Sequence, residues 1–227
     1  MTRSGGDYCC GLKEGAGFGF SDDVVMLATH GTTHIDALAH IWRDGHMYNG
    51  FAATEVSGRG AARCGIDKLP PIVTRALFAN CAAPDGARVL GPIHIDELLA
   101  AIELGGVAPL PGDALLVRTG WMTLFKAGQA NTECTAGLHA DCADWIISSG
   151  FVLVAADNVA VEVIPSGDPT CAVPLHVRLI RDHGVYLSEL LDLDTLAEEQ
   201  RAACMLMLAP LPIRGGVGSP VNPVAVF

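Results

Sequence analysis

Short apolar runs of strand length, set apart by amphipathic stretches and by glycine and proline, constrain this chain more than any other feature. That alternation is the pattern of a mixed α/β domain. Five runs read as strands: Val24–Thr29, Ile72–Phe78, Ala114–Arg118, Phe151–Ala155 and Met205–Leu208, several of them rich in β-branched residues. Three segments read as helices: Ile95–Leu104, opened by a capping-type sequence around His94 and Asp96; Ala140–Ser149, closed by Gly150; and Leu175–His183, closed by Gly184. Pro109-Leu110-Pro111-Gly112-Asp113 reads as a turn that delivers the chain into the next strand. No repeat, low-complexity tract or linker divides residues 1–227, half of which are hydrophobic, so a single domain with one substantial core is expected.

Four of the eight histidines, His30, His34, His40 and His46, fall within 17 residues, with Asp36 among them. Metal donors must converge on one point, at about 2.0–2.2 Å for imidazole nitrogen or carboxylate oxygen on a zinc-like ion. In an extended strand His30 and His34 would stand about 13 Å apart, at roughly 3.3 Å per residue, so the backbone must fold up between them. Gly31-Thr32-Thr33 suits such a fold, through glycine's wide dihedral range and hydroxyls that bond local backbone. The expected arrangement is a strand Val24–Thr29 ending at His30, a compact turn, and a helical segment beginning near Asp36. On that helix Asp36 and His40 are four residues apart and share a face. A lone histidine would read as an ordinary loop or core residue; three with an aspartate at these spacings favour a bound cation. His46 stays outside the group.

The net charge of −11 and pI near 5.0 exclude a nucleic-acid partner, which needs clustered Lys and Arg; a small molecule or another protein chain is expected instead. Eight scattered cysteines without CxxC spacing read as reduced thiols, with the adjacent Cys9 and Cys10 the one pair that could hold a soft metal. The start of the chain lacks the apolar run of a secretion signal, and no later stretch approaches about 20 uninterrupted apolar residues, so a cytoplasmic protein without a membrane span is expected.

The run His30-Gly-Thr-Thr-His34-Ile-Asp36-Ala-Leu-Ala-His40 resembles the His-x-Gly-Thr-His-x-Asp-x-Pro-x-His signature of the putative cyclase family, which includes kynurenine formamidase and isatin hydrolase. Asp22-Asp23, Tyr48-Asn49-Gly50, the segments Gly112–Trp121, Asp157–Glu162 and Gly215–Pro220, and His176 with Glu189 thirteen residues on extend the likeness over nearly the whole chain. The resemblance implies that His30, His34 and Asp36 bind metal and that His40 is the catalytic histidine. It also implies that His176 and Glu189 lie near the metal, where Asp36 and Glu189 could bridge a second ion. The cofactor it implies is Zn2+ or Mn2+, one or two ions. The fold it implies is an α/β swivelling β/β/α-type core with a mixed, partly barrel-like sheet, assembled as a homodimer or homotetramer. Two departures stand out. The threonines are shifted, as His-Gly-Thr-Thr-His, and Leu38 replaces the signature proline. Only 29 residues precede His30, fewer than this branch usually has, so part of the pocket wall is expected to be missing.

These readings lead to a metal-dependent hydrolase that cleaves the C–N bond of an amide, formamide or lactam. Two alternatives stay open: a non-catalytic metal- or small-ligand-binding protein of the same fold, and a metal-dependent lyase or dehydratase. Serine and cysteine hydrolases rank lower, because the chain has no Gly-x-Ser-x-Gly elbow and no cysteine in a recognisable nucleophile motif.

Overall fold

The computed structural model describes residues 2–3, 23–83 and 90–227. An eight-stranded sheet is built from β1 (His34–Asp36), β2 (Ile72–Asn80), β3 (Ala114–Arg118), β4 (Leu153–Ala156), β5 (Tyr186–Glu189), β6 (Ala203–Leu208), β7 (Gly218–Pro220) and β8 (Val224–Val226). Across the sheet the order is β7-β1-β5-β4-β3-β2-β6-β8. The four central strands, β5 to β2, run parallel, and the two outer strands on each side pair antiparallel, giving the mixed half-barrel sheet of an α/β fold.

The strands read as continuous apolar runs because both faces of the parallel centre are covered: every residue of β3 and β4 is buried. One face lies under α1 (Ile95–Gly105), α3 (Ala143–Ser148) and α4 (Pro174–His176), the last continuing into a π-helical turn, Val177–Asp182. There Leu98, Ile102, Ile146, Leu175 and Leu179 pack with Leu77, Leu115, Val117, Val154 and Leu187 of the sheet. The opposite face buries Ile35, Phe78, Leu116, Leu153 and Leu206 with Leu193 and Leu196 at α5 (Asp194–Glu198). A further helix, α2 (Trp121–Lys126), follows β3. Asp157, directly after β4, accepts from the backbone N–H groups of Thr119 and Gly120 and so ties the start of α2 to the sheet.

Four of the five expected strands and all three expected helices form, with ends shifted by a few residues. Val24–Thr29 does not form a strand. Among the described residues only Asp23–Val24 of this segment pair, with Thr2–Arg3, and Val24 through Leu27 are about half exposed or more, outside the eight-stranded sheet. The strand of the histidine motif is instead β1, four residues further on. No helix begins near Asp36: the chain turns at Ala37–His40, where the His40 N–H bonds Ala37 O at 2.9 Å. The expected cap of α1 is also supplied differently. The His94 side chain makes no capping bond, and Asp141 Oδ1 accepts from the Ile95 N–H at 3.2 Å.

Cys64, Cys81, Cys134, Cys142, Cys171 and Cys204 carry thiols, not disulfides. The pair Cys9–Cys10 and Asp22 lie outside the described residues. Among the described residues, no helix is long and apolar enough to cross a membrane.

Candidate metal centre

Alternation along β1 sends His34 and Asp36 to one face of the sheet and Ile35 into the opposite core. The register of the neighbouring strands then chooses their company: Glu189, the last residue of β5, lies opposite His34, and Gly218 of β7 lies opposite Asp36. His176 comes from α4 on the same face. This places the group at the carboxyl end of the parallel strands, the usual location of sites in open α/β sheets.

The distances describe a cage of acceptors. Asp36 Oδ1 lies 3.3 Å from His30 Nε2 and 3.5 Å from His34 Nε2, and Glu189 Oε2 lies 3.3 Å from His34 Nε2. His176 Nε2 lies 3.1 Å from Glu189 Oε1 and 3.8 Å from Asp36 Oδ2. Donors at 2.0–2.2 Å around a tetrahedral ion are separated from one another by about 3.3–3.6 Å, so the three shorter contacts of Asp36 and His34 have the length of polyhedron edges.

Hydrogen placement supports that reading. His34 Nδ1 is 2.8 Å from Thr32 O, and a carbonyl can only accept, so Nδ1 carries a hydrogen and Nε2, facing two carboxylates, is the atom left for a metal or a second proton. His176 is held likewise: Nδ1 donates to Glu162 Oε1 at 2.5 Å, and Nε2 is directed at Asp36 and at Glu189 Oε1, to which it hydrogen-bonds when a proton and not a metal occupies it. His30 Nε2 and both oxygens of Asp36 are buried without any hydrogen-bond partner. Buried polar atoms left unpaired around a carboxylate are costly unless a cation lies between them. Two triads of donor atoms, from His30, Asp36 and His40 and from Asp36, His176 and Glu189, each lie within 4.8 Å of one another. Asp36 belongs to both, which is the arrangement a bridging carboxylate needs.

His40 stands beside this cage with its ring stacked on His30, centroids 4.3 Å apart at 25°. Burial lowers its pKa, opposed by Asp36 and reinforced by His30 and His176, so the imidazole is neutral at pH 7. Burial also pulls His34 and His176 down, but Asp36 and Glu189 around His34, and Glu162 and Glu189 around His176, outweigh it and raise both to about 10. Burial pushes Asp36 up, yet His30 and His34 hold its carboxyl well below the usual range.

In metal-free protein the cage therefore binds protons, and a linkage follows. A histidine whose folded pKa lies near 10 and unfolded pKa near 6.5 stabilises the fold fully below pH 6.5 and loses that contribution as pH rises through 10. With chelator present, thermal stability is expected to fall steadily from pH 6.5 to pH 10, by about 2–4 °C for each kcal/mol of linked stability lost. With saturating metal the curve should be nearly flat over that window, because protons no longer occupy the imidazoles. Parallel curves with and without metal would count against the cage.

All six residues expected at the site are brought together: His30, His34, Asp36, His40, His176 and Glu189. His176 is buried and not on a helix surface, and the basic residues near Glu189 are engaged elsewhere, Arg178 with Asp144 and Arg181 with Asp182. His46 is exposed, bonding Asp44 O.

Sequence reasoning assigned no role to Glu162 and Gly218. Glu162 is buried, accepts the Leu175 and His176 backbone N–H groups at 3.0 and 2.9 Å, and fixes the His176 ring. It is aimed by Val161, a β-branched residue at φ 54°, around which the Glu162 N–H bonds Ala160 O in a γ-turn. Such a backbone costs of order 1–3 kcal/mol and persists where surrounding structure enforces it. The available signal was an acid inside the apolar run Val159-Ala-Val-Glu-Val. Glu162→Gln keeps the shape and one acceptor but removes the charge behind the imidazole. Metal affinity is expected to drop about 10–100-fold with the fold intact, measured by competition with a chelating dye. Gly218 is needed for space: a Cβ there would collide with the His30 imidazole.

The sequence pattern of the family described as Putative cyclase matches residues 10–163. The chain belongs to this family. A crystal structure of a novel cyclase superposes on this cyclase-family chain with TM-score 0.82 at 30% identity, covering 99% of this chain and 79% of the other. Isatin hydrolase from Roseibium aggregatum is 25% identical over 214 residues, spanning 91% of this chain and 75% of that protein. A structure described as a potential metal-dependent hydrolase with cyclase activity shares the fold at TM-score 0.59 and 18% identity, over 88% of this chain and 80% of that one.

A cavity of about 440 Å³ adjoins the histidine motif. Gly31, Thr32 and Thr33, the link between His30 and His34, form one wall with Leu190, which follows Glu189; Trp121, Met122, Phe125 and Val159 line it with apolar surface, and Thr132 and Asp192 complete it.

Proposed function

We propose that this cyclase-family chain is a metal-dependent hydrolase that cleaves the C–N bond of an aryl amide, formamide or lactam. The observation that carries the reading is the buried convergence of three imidazoles and a second carboxylate on Asp36, whose own oxygens and the facing His30 Nε2 have no hydrogen-bond partner, with a neutral histidine stacked at its side. His30, His34, Asp36, His176 and Glu189 would hold the ion or ions. Two imidazoles and one carboxylate suit zinc, and the addition of Glu189 shifts preference toward manganese. When bound, the metal supplies Lewis acidity, lowering the pKa of a water from 15.7 toward 7 and polarising a carbonyl.

The remaining work falls to the protein's own groups. His40, neutral at neutral pH, takes a proton from the attacking water on an imidazole nitrogen and returns it to the departing nitrogen as the C–N bond breaks. Glu162 keeps the hydrogen of His176 on Nδ1, so that Nε2 remains a donor of electrons. The cavity walled by Trp121, Met122, Phe125 and Val159 offers an apolar, aromatic surface for a flat aryl group beside the site, and Thr32 adds a hydroxyl-bearing side chain to the wall, that of Thr33 being donated to Leu190 O.

The test is a hydrolysis panel of isatin, N-formylkynurenine and simple aryl amides with zinc or manganese supplied. Turnover of one of these, lost on chelation and restored by metal, is the expected result. Metal bound stoichiometrically with no turnover across the panel would favour a binding protein of the same fold.

A further inference from the structure

A second set of donors converges on the helix-covered side of the molecule, outside the centre built on Asp36. Pro92–Ile93 and Gly137–Leu138 pair in parallel, Pro92 with Gly137 and Ile93 with Leu138. His94 and His139 are the next residues of each strand, so the register sets them side by side; the His139 N–H bonds Ile93 O at 2.8 Å and the rings stand 4.4 Å apart. Asp141 reaches back two residues later. Its Oδ2 lies 2.8 Å from His94 Nδ1 and 3.1 Å from His139 Nδ1, and one donor atom from each residue lies within 4.8 Å of the others.

The hydrogens at this cluster do not balance. The Asp141 N–H donates to His139 Nδ1 at 3.3 Å, so that nitrogen presents a lone pair and carries no hydrogen. Asp141 Oδ2 nevertheless faces it at 3.1 Å, an acceptor against an acceptor. The carboxylate cannot easily turn away, because Oδ1 is engaged by the Ile95 N–H at 3.2 Å and by the Cys142 thiol at 3.6 Å. His94 Nδ1 donates to the same Oδ2 at 2.8 Å; a divalent cation that displaces that hydrogen and draws the donors apart to about 3.3 Å also removes the repulsion between Oδ2 and His139 Nδ1. The side chains of His94, His139 and Asp141 are 53%, 35% and 36% exposed, which leaves room for water to complete a coordination shell. The α1 N-terminus is an unfavourable neighbour for a cation, but Asp96 and Glu97 in its first turn offset that dipole.

We infer that His94 Nδ1, His139 Nδ1 and Asp141 Oδ2 form a second divalent-cation site of zinc type, closed by water. The site clamps the strand Gly137–Leu138, whose other edge bonds the Glu162 segment: the Leu138 N–H donates to Val161 O at 2.9 Å and the Val163 N–H to Leu138 O at 3.1 Å. A bound ion here stiffens the ribbon that aims Glu162 at His176.

The experiment is a Zn2+ titration against a chelating dye with the full chain and with His94→Gln and His139→Gln, followed by zinc-edge anomalous diffraction from Zn2+-soaked crystals of the parent. Each variant is expected to bind one zinc equivalent fewer than the parent and to lose part of the zinc-induced rise in melting temperature. The parent crystals should show a peak about 2.0–2.2 Å from the three named atoms. Equal zinc equivalents in parent and variants, or no peak beside Asp141, would overturn the site. Neither outcome depends on the centre at Asp36, whose zinc is counted in both proteins alike.

Discussion

Asp36→Asn is expected to leave a folded protein that holds almost no metal and whose hydrolytic rate is lower by more than about 10^3-fold. Asp36 alone belongs to both donor triads, and its two oxygens face His30, His34 and His176 without any other partner. Asparagine preserves the volume but turns one of those oxygens into a donor and removes the negative charge that would neutralise a divalent ion. Lewis-acid stabilisation is worth several kcal/mol of barrier, and each 1.36 kcal/mol is a factor of ten in rate. Metal content after gel filtration, with circular dichroism as the check on folding, measures the outcome. A D36N protein retaining the parental metal content would show that the carboxylate is not a ligand. The same variant should bring the raised pKa of His34 down in metal-free protein, because one of the two carboxylates that hold its proton is gone.

His40→Ala should separate chemistry from binding. His40 stacks on His30, and its donor atom lies close enough to His30 and Asp36 to be counted with them, so position alone leaves ligand and proton carrier both open. The proton-carrier role predicts a fall in kcat of about 10^2–10^4-fold with metal content unchanged, the range for loss of a positioned general base. The pH profile gives a second readout. Burial depresses the His40 pKa below 6.5, so the base is unprotonated at neutral pH and the parental rate should fall only as pH drops through that lowered value. In H40A that acid limb should disappear. Loss of metal together with rate would reassign His40 as a ligand.

The layout of the centre was more legible in the sequence than its scaffold. Six residues read from spacing and family likeness do assemble, because the pairing of strands distant in sequence leaves little freedom for polar groups on a buried face. The element that carries His34 and Asp36 was misread for a physical reason. His-Ile-Asp is too short to display a period of two, whereas Val24–Thr29 has the apolar composition of a strand but, among the described residues, ladders only at Val24, opposite Thr2. The turn at Ala37–His40 replaces the expected helix and still returns His40 to Asp36, so the same proximity arises from a different backbone. Glu162 was missed because its function depends on a left-handed valine and on the backbone N–H groups of Leu175 and His176 in α4, thirteen and fourteen residues later, relations that no local pattern encodes.

The position of β1 in the sheet has a temporal consequence. Its two neighbours are β5 and β7, so Asp36 is flanked by a strand ending at Glu189 and by a strand that begins at Gly218, both remote from it in sequence. Contacts between such remote segments form late, after the entropy of closing a long loop has been met. A ribosome-bound intermediate lacking β7 would carry His30 and Asp36 without the wall that confines them. The ion would then enter only after β7 has paired with β1, and metal acquisition would follow closure of this edge of the sheet instead of nucleating it.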